Sequence, residues 1–282
     1  MKPISQKQKV LMAVLREMNK TNNSSRTFLE KALFILRHEE GIDKLVKFYS
    51  FFPYNYGPFS HASYEDIGRL QRAGLVTEKL QITQKGHSQI VTLPKTIDSK
   101  ITAVVNKFSS TNAIQNYVYK KYPEYTVKSK LKTDQKPKPN PGIFTIGYEG
   151  KDIDAFLDIL IKNRIDIVVD IRFNPFSMNF DFIQSKLQNA LNKAEIGYVH
   201  IPALGIEGAL RKDLNSAEDY KQLFDDYKIK IEGNNQGDID RIISLGREKR
   251  IVLLCFEHDK NMCHRGVVAE EIEKEGIKTC HL

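Results

Sequence analysis

The segment Arg250-Ile251-Val252-Leu253-Leu254 restricts the fold of this chain more than any other. It is too short for a helix, rich in branched apolar residues, and free of polar alternation. A run of that kind is buried on both faces, which predicts an interior strand of a parallel sheet. The strand stops at Cys255-Phe256-Glu257. From Gly266 the stretch Val267 to Lys274 has helical character, with Gly276 placed just past its end. In open parallel sheets, ligands sit outside the carboxyl ends of the strands. The connection between this strand and its helix carries Cys255, Glu257, Cys263, His264 and Arg265, and so reads as a candidate site.

Two further strand ends point the same way. Ile143-Phe144-Thr145-Ile146 breaks at Gly147-Tyr148-Glu149-Gly150, and Ile153 to Ile161 then places Ile153, Phe156, Leu157 and Leu160 at helical spacing. Ile165 to Val169 predicts a second strand ending at Asp170-Ile171-Arg172. Strand, helix, strand implies a parallel crossover. The polar ends of all three strands should then meet along one sheet edge.

These residues resemble a known family. Thr145-Ile146-Gly147-Tyr148-Glu149-Gly150, Asp170-x-Arg172-x-x-Pro175-x-Ser177, Cys255-x-Glu257 and Cys263-His264-Arg265 follow the pattern of domain of unknown function 488, over about residues 143–282 and ending with His281. The resemblance implies a domain and a set of candidate residues rather than a substrate. Two positions depart from the pattern. Met178 stands where the family usually has arginine after Ser177, and Leu204-Gly205-Ile206 replaces Leu-Gly-Gly.

Charge divides the chain in two. Residues 1–140 hold 24 Lys and Arg against 11 Asp and Glu, whereas residues 141–282 hold 19 against 24. A basic half joined to an acidic half predicts that the first meets a polyanion, nucleic acid in particular. Lys128 to Pro141 is a basic, proline-bearing linker.

Within the basic half, Lys7–Met18 and Phe28–Glu39 show helical apolar spacing. Glu65 to Ala73, then Gly74-Leu75-Val76, a short strand over Leu80–Thr83 and Gly86, resemble the recognition helix and wing of a winged-helix domain. On that reading Arg69, Arg72, Lys79 and Lys85 contact phosphates and Gln71 reaches a base edge. The competing reading is an ordinary solvated helix face. Residues 96–127 predict one or two connecting helices. The expected fold class is α/β: a winged-helix-like, α-rich domain at 1–95, a connector and linker at 96–140, and a Rossmann-like parallel-sheet domain at 141–282.

The candidate chemistry follows from the residue types. Asp170 and Glu257 serve as acid/base groups or stabilise a cationic transition state, while Arg172 and Arg265 hold phosphate. Tyr148 stacks on a base; Glu149 and Ser177 complete the substrate contacts. Cys263, near a helix start and beside His264, is a candidate nucleophile with His264 as its partner. Cys255 reads as a small core residue. This set suits cleavage of an N-glycosidic bond in a nucleotide or nucleic acid. The alternative is a DNA-binding regulator or defence-system component whose C-terminal domain senses a small anionic ligand.

Several classes are excluded. The spacing of Cys255, His258, Cys263 and His264 is unlike zinc ribbons and fingers, so no metal is expected. No Gly-x-Gly-x-x-Gly or Walker pattern follows the first strand, so no nucleotide cofactor is expected either. No apolar run approaches a membrane span, and the three cysteines form no disulfide framework, which fits a reducing cytoplasm.

Overall fold

A computed structural model describes residues 3–89, 93–131, 139–211 and 216–282. The chain divides into two compact units, Met1–Asp134 and Gln135–Leu282.

The first unit opens with α1 (Gln6–Lys20) and α2 (Arg26–His38). Ser5 and Gln8 cap α1 reciprocally, and Ser25 caps α2, which fixes both starts. A hairpin of β1 (Phe52–Tyr54) and β2 (Gly57–Phe59) precedes α3 (His61–Arg72). Gly74, at φ +70°, ends α3: its N–H reaches Gln71 O while Leu75 N–H reaches Leu70 O, a Schellman closure. The short strand expected over Leu80–Thr83 is reduced to one antiparallel bridge, Val76 to Ile82, and Gln84–Gln89 coils as α4.

Two more helices follow, α5 (Lys95–Asn106) and α6 (Thr111–Lys121). Sequence spacing presents them as a connector, but Ile101, Val104, Ile114 and Val118 lie in the same core as Leu11, Leu15, Leu29 and Leu33. The start of the expected linker is also ordered against this unit. Lys130 N donates to Asn55 O at 2.9 Å, and Ser129 Oγ bonds the Tyr119 hydroxyl at 2.7 Å. Residues 132–138 of that linker lie outside the described residues.

The second unit is a Rossmann-like α/β sandwich. Its elements are β3 (Gly142–Gly147), α7 (Ile153–Lys162), β4 (Ile167–Asp170), α8 (Gln184–Lys193), β5 (Gly197–His200), α9 (Ala217–Asn234), α10 (Gln236–Glu248), β6 (Arg250–Cys255), α11 (His264–Lys274) and β7 (Thr279–His281). All five strands run parallel in the order β5-β4-β6-β3-β7. The Ile251–Leu254 run is thus the central strand, buried throughout as its composition requires. The β3–α7–β4 crossover skips one lane, and β6 later fills it. On one face Ile143, Val169, Ile251 and Leu253 pack with Ile239, Ile242 and Ile272 from α10 and α11. Residues alternate across the strands, and the apolar sides of α7 and α8 (Phe156, Leu160, Leu187) are buried as well.

Register decides where the site lies. Gly147 pairs with Cys255 and Asp170 with Leu254, so three strands end level with one another. Beyond β6 the chain crosses directly over β3. A Cβ on Gly147 would stand 1.8 Å from Glu257 O, so only glycine allows the crossing. Among the described residues, no helix is long and apolar enough to cross a membrane.

Candidate functional site

The carboxyl edge of the sheet holds two carboxylate–guanidinium pairs of different character. At the end of β4, Asp170 is fully buried. Arg172 Nε and Nη2 donate to its two oxygens at 2.8 and 2.6 Å, Arg172 N–H donates at 3.1 Å, and the Tyr198 hydroxyl donates at 2.7 Å. Arg172 Nη1 donates to the Tyr148 hydroxyl and to Phe182 O. Burial would lower the Arg172 pKa, but bonds and charge from Asp170 prevail and raise it. Asp170 is therefore the buried anchor of Arg172, a structural bridge rather than a group open to substrate. Four of the five guanidinium N–H groups of Arg172 are thus directed at protein acceptors.

Tyr148 is held the same way. Its ring stacks on Phe182 at 4.2 Å with Phe256 against its edge, and its hydroxyl donates to Ser177 Oγ at 3.1 Å. The face expected to receive a base is covered by protein. Arg265, expected at a phosphate, is buried and donates to the backbone carbonyls of Glu257 and His258. It holds the crossing loop in place. Glu149 does related work, its Oε2 accepting from His258 N–H at 2.8 Å.

The second pair is Glu257 with Arg211, and it faces a cavity. Burial would raise the Glu257 pKa, but Arg211 and the neighbouring thiols hold it down to about 2, so the carboxylate is ionised. Cys255 Sγ donates to Glu257 Oε2 at 3.2 Å. Arg211 Nη2 donates to His264 Nδ1 at 2.7 Å, and a guanidinium can only donate. The proton of His264 therefore sits on Nε2, which donates to Ile171 O at 3.1 Å. Desolvation pushes the thiol of Cys255 up; Cys263, despite burial, is drawn down by the adjoining Cys255 and His264. Cys263 takes the N-cap position of α11, where the helix dipole also favours a thiolate.

A cavity of about 370 Å³ opens on one side of Arg211, within the range of about 300–1,000 Å³ usual for small-molecule sites, while Glu257 lines a separate cavity of about 280 Å³ that Arg211 also borders. Arg211, Cys255 and His264 lie among the lining residues of the larger cavity, together with Phe173, Phe176, Met178 and Phe256. Those last four are exposed by 43, 66, 96 and 45%. Large apolar side chains left in solvent around one opening mark a binding surface.

Residues 152–272 match the family model for a domain of unknown function, DUF488. The match lies in the second unit, where the sequence motifs placed it, and covers Asp170, Arg172, Ser177, Cys255, Glu257, Cys263 and His264. The Gly147–Gly150 turn and His281 flank the matched span. No curated protein matches the chain, and no solved structure does.

Folding thus brings Tyr148, Arg172, Ser177, Cys255 and His264 around one cavity, with Glu257 held beside it by Arg211. Sequence reasoning missed Arg211 and the aromatic rim. Arg211 lies 46 residues before Glu257 and carries no motif spacing. The rim had a signal, the density of Phe and Met in Phe173–Phe180, which reads as core until its exposure is seen.

In the first unit Arg72 and Lys79 are exposed, and Arg69 pairs with Glu65 and Asp66. Gln71 Nε2 donates to Thr77 O at 3.2 Å and Lys85 Nζ to Ala73 O at 2.9 Å, so both brace the turn after α3.

Proposed function

We propose that the second unit binds a nucleobase-bearing ligand and hydrolyses its N-glycosidic bond, and that the first unit engages nucleic acid. The observation that carries this reading is the exposed rim of Phe173, Phe176, Met178 and Phe256 around a cavity beside an ionised Glu257. Aromatic faces in solvent take up bases by stacking, at about 1–3 kcal/mol per base.

The state of Glu257 selects its role. A carboxylate with a pKa near 2 is a weak general base but a strong fixed negative charge. In glycosidic cleavage the bond from the anomeric carbon to nitrogen lengthens and positive charge gathers on the sugar ring. Glu257 opposes that charge, and Arg211 fixes the carboxylate's orientation. Water then adds to the anomeric carbon, and the base departs with the electron pair of the broken C–N bond and takes up the proton that the water gives up. In this reading Asp170 and Arg172 act as scaffold and take no part in the chemistry.

The first unit contributes the basic surface at the end of α3, where Arg72 and Lys79 offer exposed charge of the kind phosphates attract. A winged-helix-like mode of contact is part of this proposal.

The test is mass spectrometry of nucleotides and oligonucleotides incubated with wild type and with Glu257→Gln. Release of a free base by wild type alone supports the reading. Ligand binding without any product from either protein would favour a regulator that senses a small ligand.

A further inference from the structure

We propose that Cys255, Cys263 and His264 form a binding site for a thiophilic divalent cation, with zinc the best match. Their ligand atoms all lie within 4.8 Å of one another, and all three residues are buried. Two sulfurs and an imidazole nitrogen are the donors that zinc prefers among available cations. The spacing fits as well. Zinc bonds sulfur at about 2.3 Å and nitrogen at about 2.0 Å, so a tetrahedral site sets S and N about 3.5 Å apart. Cys255 Sγ and His264 Nδ1 are 3.5 Å apart.

The imidazole is already oriented for the task. Its Nε2 proton is fixed on the carbonyl of Ile171, the outer contact that metal-binding histidines use to present the other nitrogen. That lone pair, on Nδ1, now accepts from Arg211. A guanidinium is therefore holding the place of a cation, and it fits imperfectly. Among the described residues, its buried Nε–H has no partner, an arrangement that costs a protein stability. Metal entry displaces Arg211 from His264, and any thiol proton still present is released to solvent; no oxidation or reduction occurs.

Three protein ligands would leave a fourth position open, and Glu257 Oε2 lies close to the cluster, 3.2 Å from Cys255 Sγ. An open position is the mark of a catalytic rather than a structural zinc. The inference deepens the proposed function, since a bound zinc would supply the water that adds to the sugar. Linear spacing concealed the site, because Cys255 ends β6 whereas Cys263 caps α11, and only the fold sets them together.

The test is titration of the full chain with cobalt(II), followed by its displacement with zinc. At one equivalent, cobalt is expected to give thiolate charge-transfer absorption in the near ultraviolet and intense tetrahedral bands in the visible. Cys263→Ser and His264→Gln should weaken cobalt affinity by about 100-fold or more. Cys280→Ser, an exposed thiol in β7, should leave it unchanged. Arg211→Met should tighten it by about tenfold, because a competitor is removed. A measurement free of variants accompanies these: zinc should protect Cys255 and Cys263, but not Cys280, from alkylation mapped by mass spectrometry. Spectra without tetrahedral bands, bands that survive both ligand substitutions, or equal alkylation with and without zinc would each overturn the proposal. None of these readouts contains a nucleotide, so failure here leaves the glycosidic reading standing, and failure of that reading leaves the metal site standing.

Discussion

Two ion pairs stand at neighbouring strand ends of the second unit, and they differ in what surrounds them. Asp170 and Arg172 bond one another inside protein, with Tyr198, Tyr148 and Phe182 as further partners. Glu257 and Arg211 are partly open, with 19 and 29% of their side chains exposed beside a cavity and two thiols. Both pairs have the composition of an active site. Only the second has unfinished bonding, and unfinished bonding is what a ligand can complete.

Substitution should separate the two pairs. Asp170→Ala leaves the Arg172 guanidinium buried without a counter-charge, and should cost the second unit about 3–5 kcal/mol of stability, read from denaturant unfolding. Loss below about 1 kcal/mol would place Asp170 with the functional groups. Glu257→Gln should do the reverse. Its folding stability should fall by less, about 1–3 kcal/mol, while base release measured by mass spectrometry falls by about 100-fold or more. Equal loss of fold in both variants would erase the distinction.

The rim gives a finer comparison. Phe176→Ala removes an exposed ring and should weaken nucleotide binding by about 1–3 kcal/mol in calorimetry, with the melting temperature unchanged. Phe182→Ala, in contrast, removes the buried partner of Tyr148 and should destabilise the fold. The smallest effect lies in the first unit, where the same logic contrasts exposed charge with charge that braces a turn. Arg72→Ala or Lys79→Ala should each reduce the salt slope of DNA affinity by about one. Lys85→Ala should act mainly on stability, through its bond to Ala73 O.

Much of this arrangement was legible in the sequence. Branched apolar runs marked β3, β4 and β6, because strands covered on both faces allow little else, and the polar residues after them marked the sheet edge. The DUF488 match over residues 152–272 takes in the motifs that follow β4 and β6. What escaped was pairing at long range. Nothing in Asp170-x-Arg172 says that Tyr198 will close the bridge, and nothing near Arg211 says that Glu257 is its partner. The Thr83-x-x-Gly86 segment misled for a local reason. Thr83 Oγ1 accepts from Gly86 N–H at 3.0 Å and starts a helix at once, so the strand expected just before it is cut to a single bridge.

Gly147 sets a limit on how this chain can vary. Its missing side chain is the clearance through which the Glu257 segment passes. Even alanine there would lift that segment by more than a bond length and carry the carboxylate away from Arg211. A residue with no functional group thereby controls how Glu257 meets Arg211. Damage at this position should look like loss of an acid, though every acid is still present.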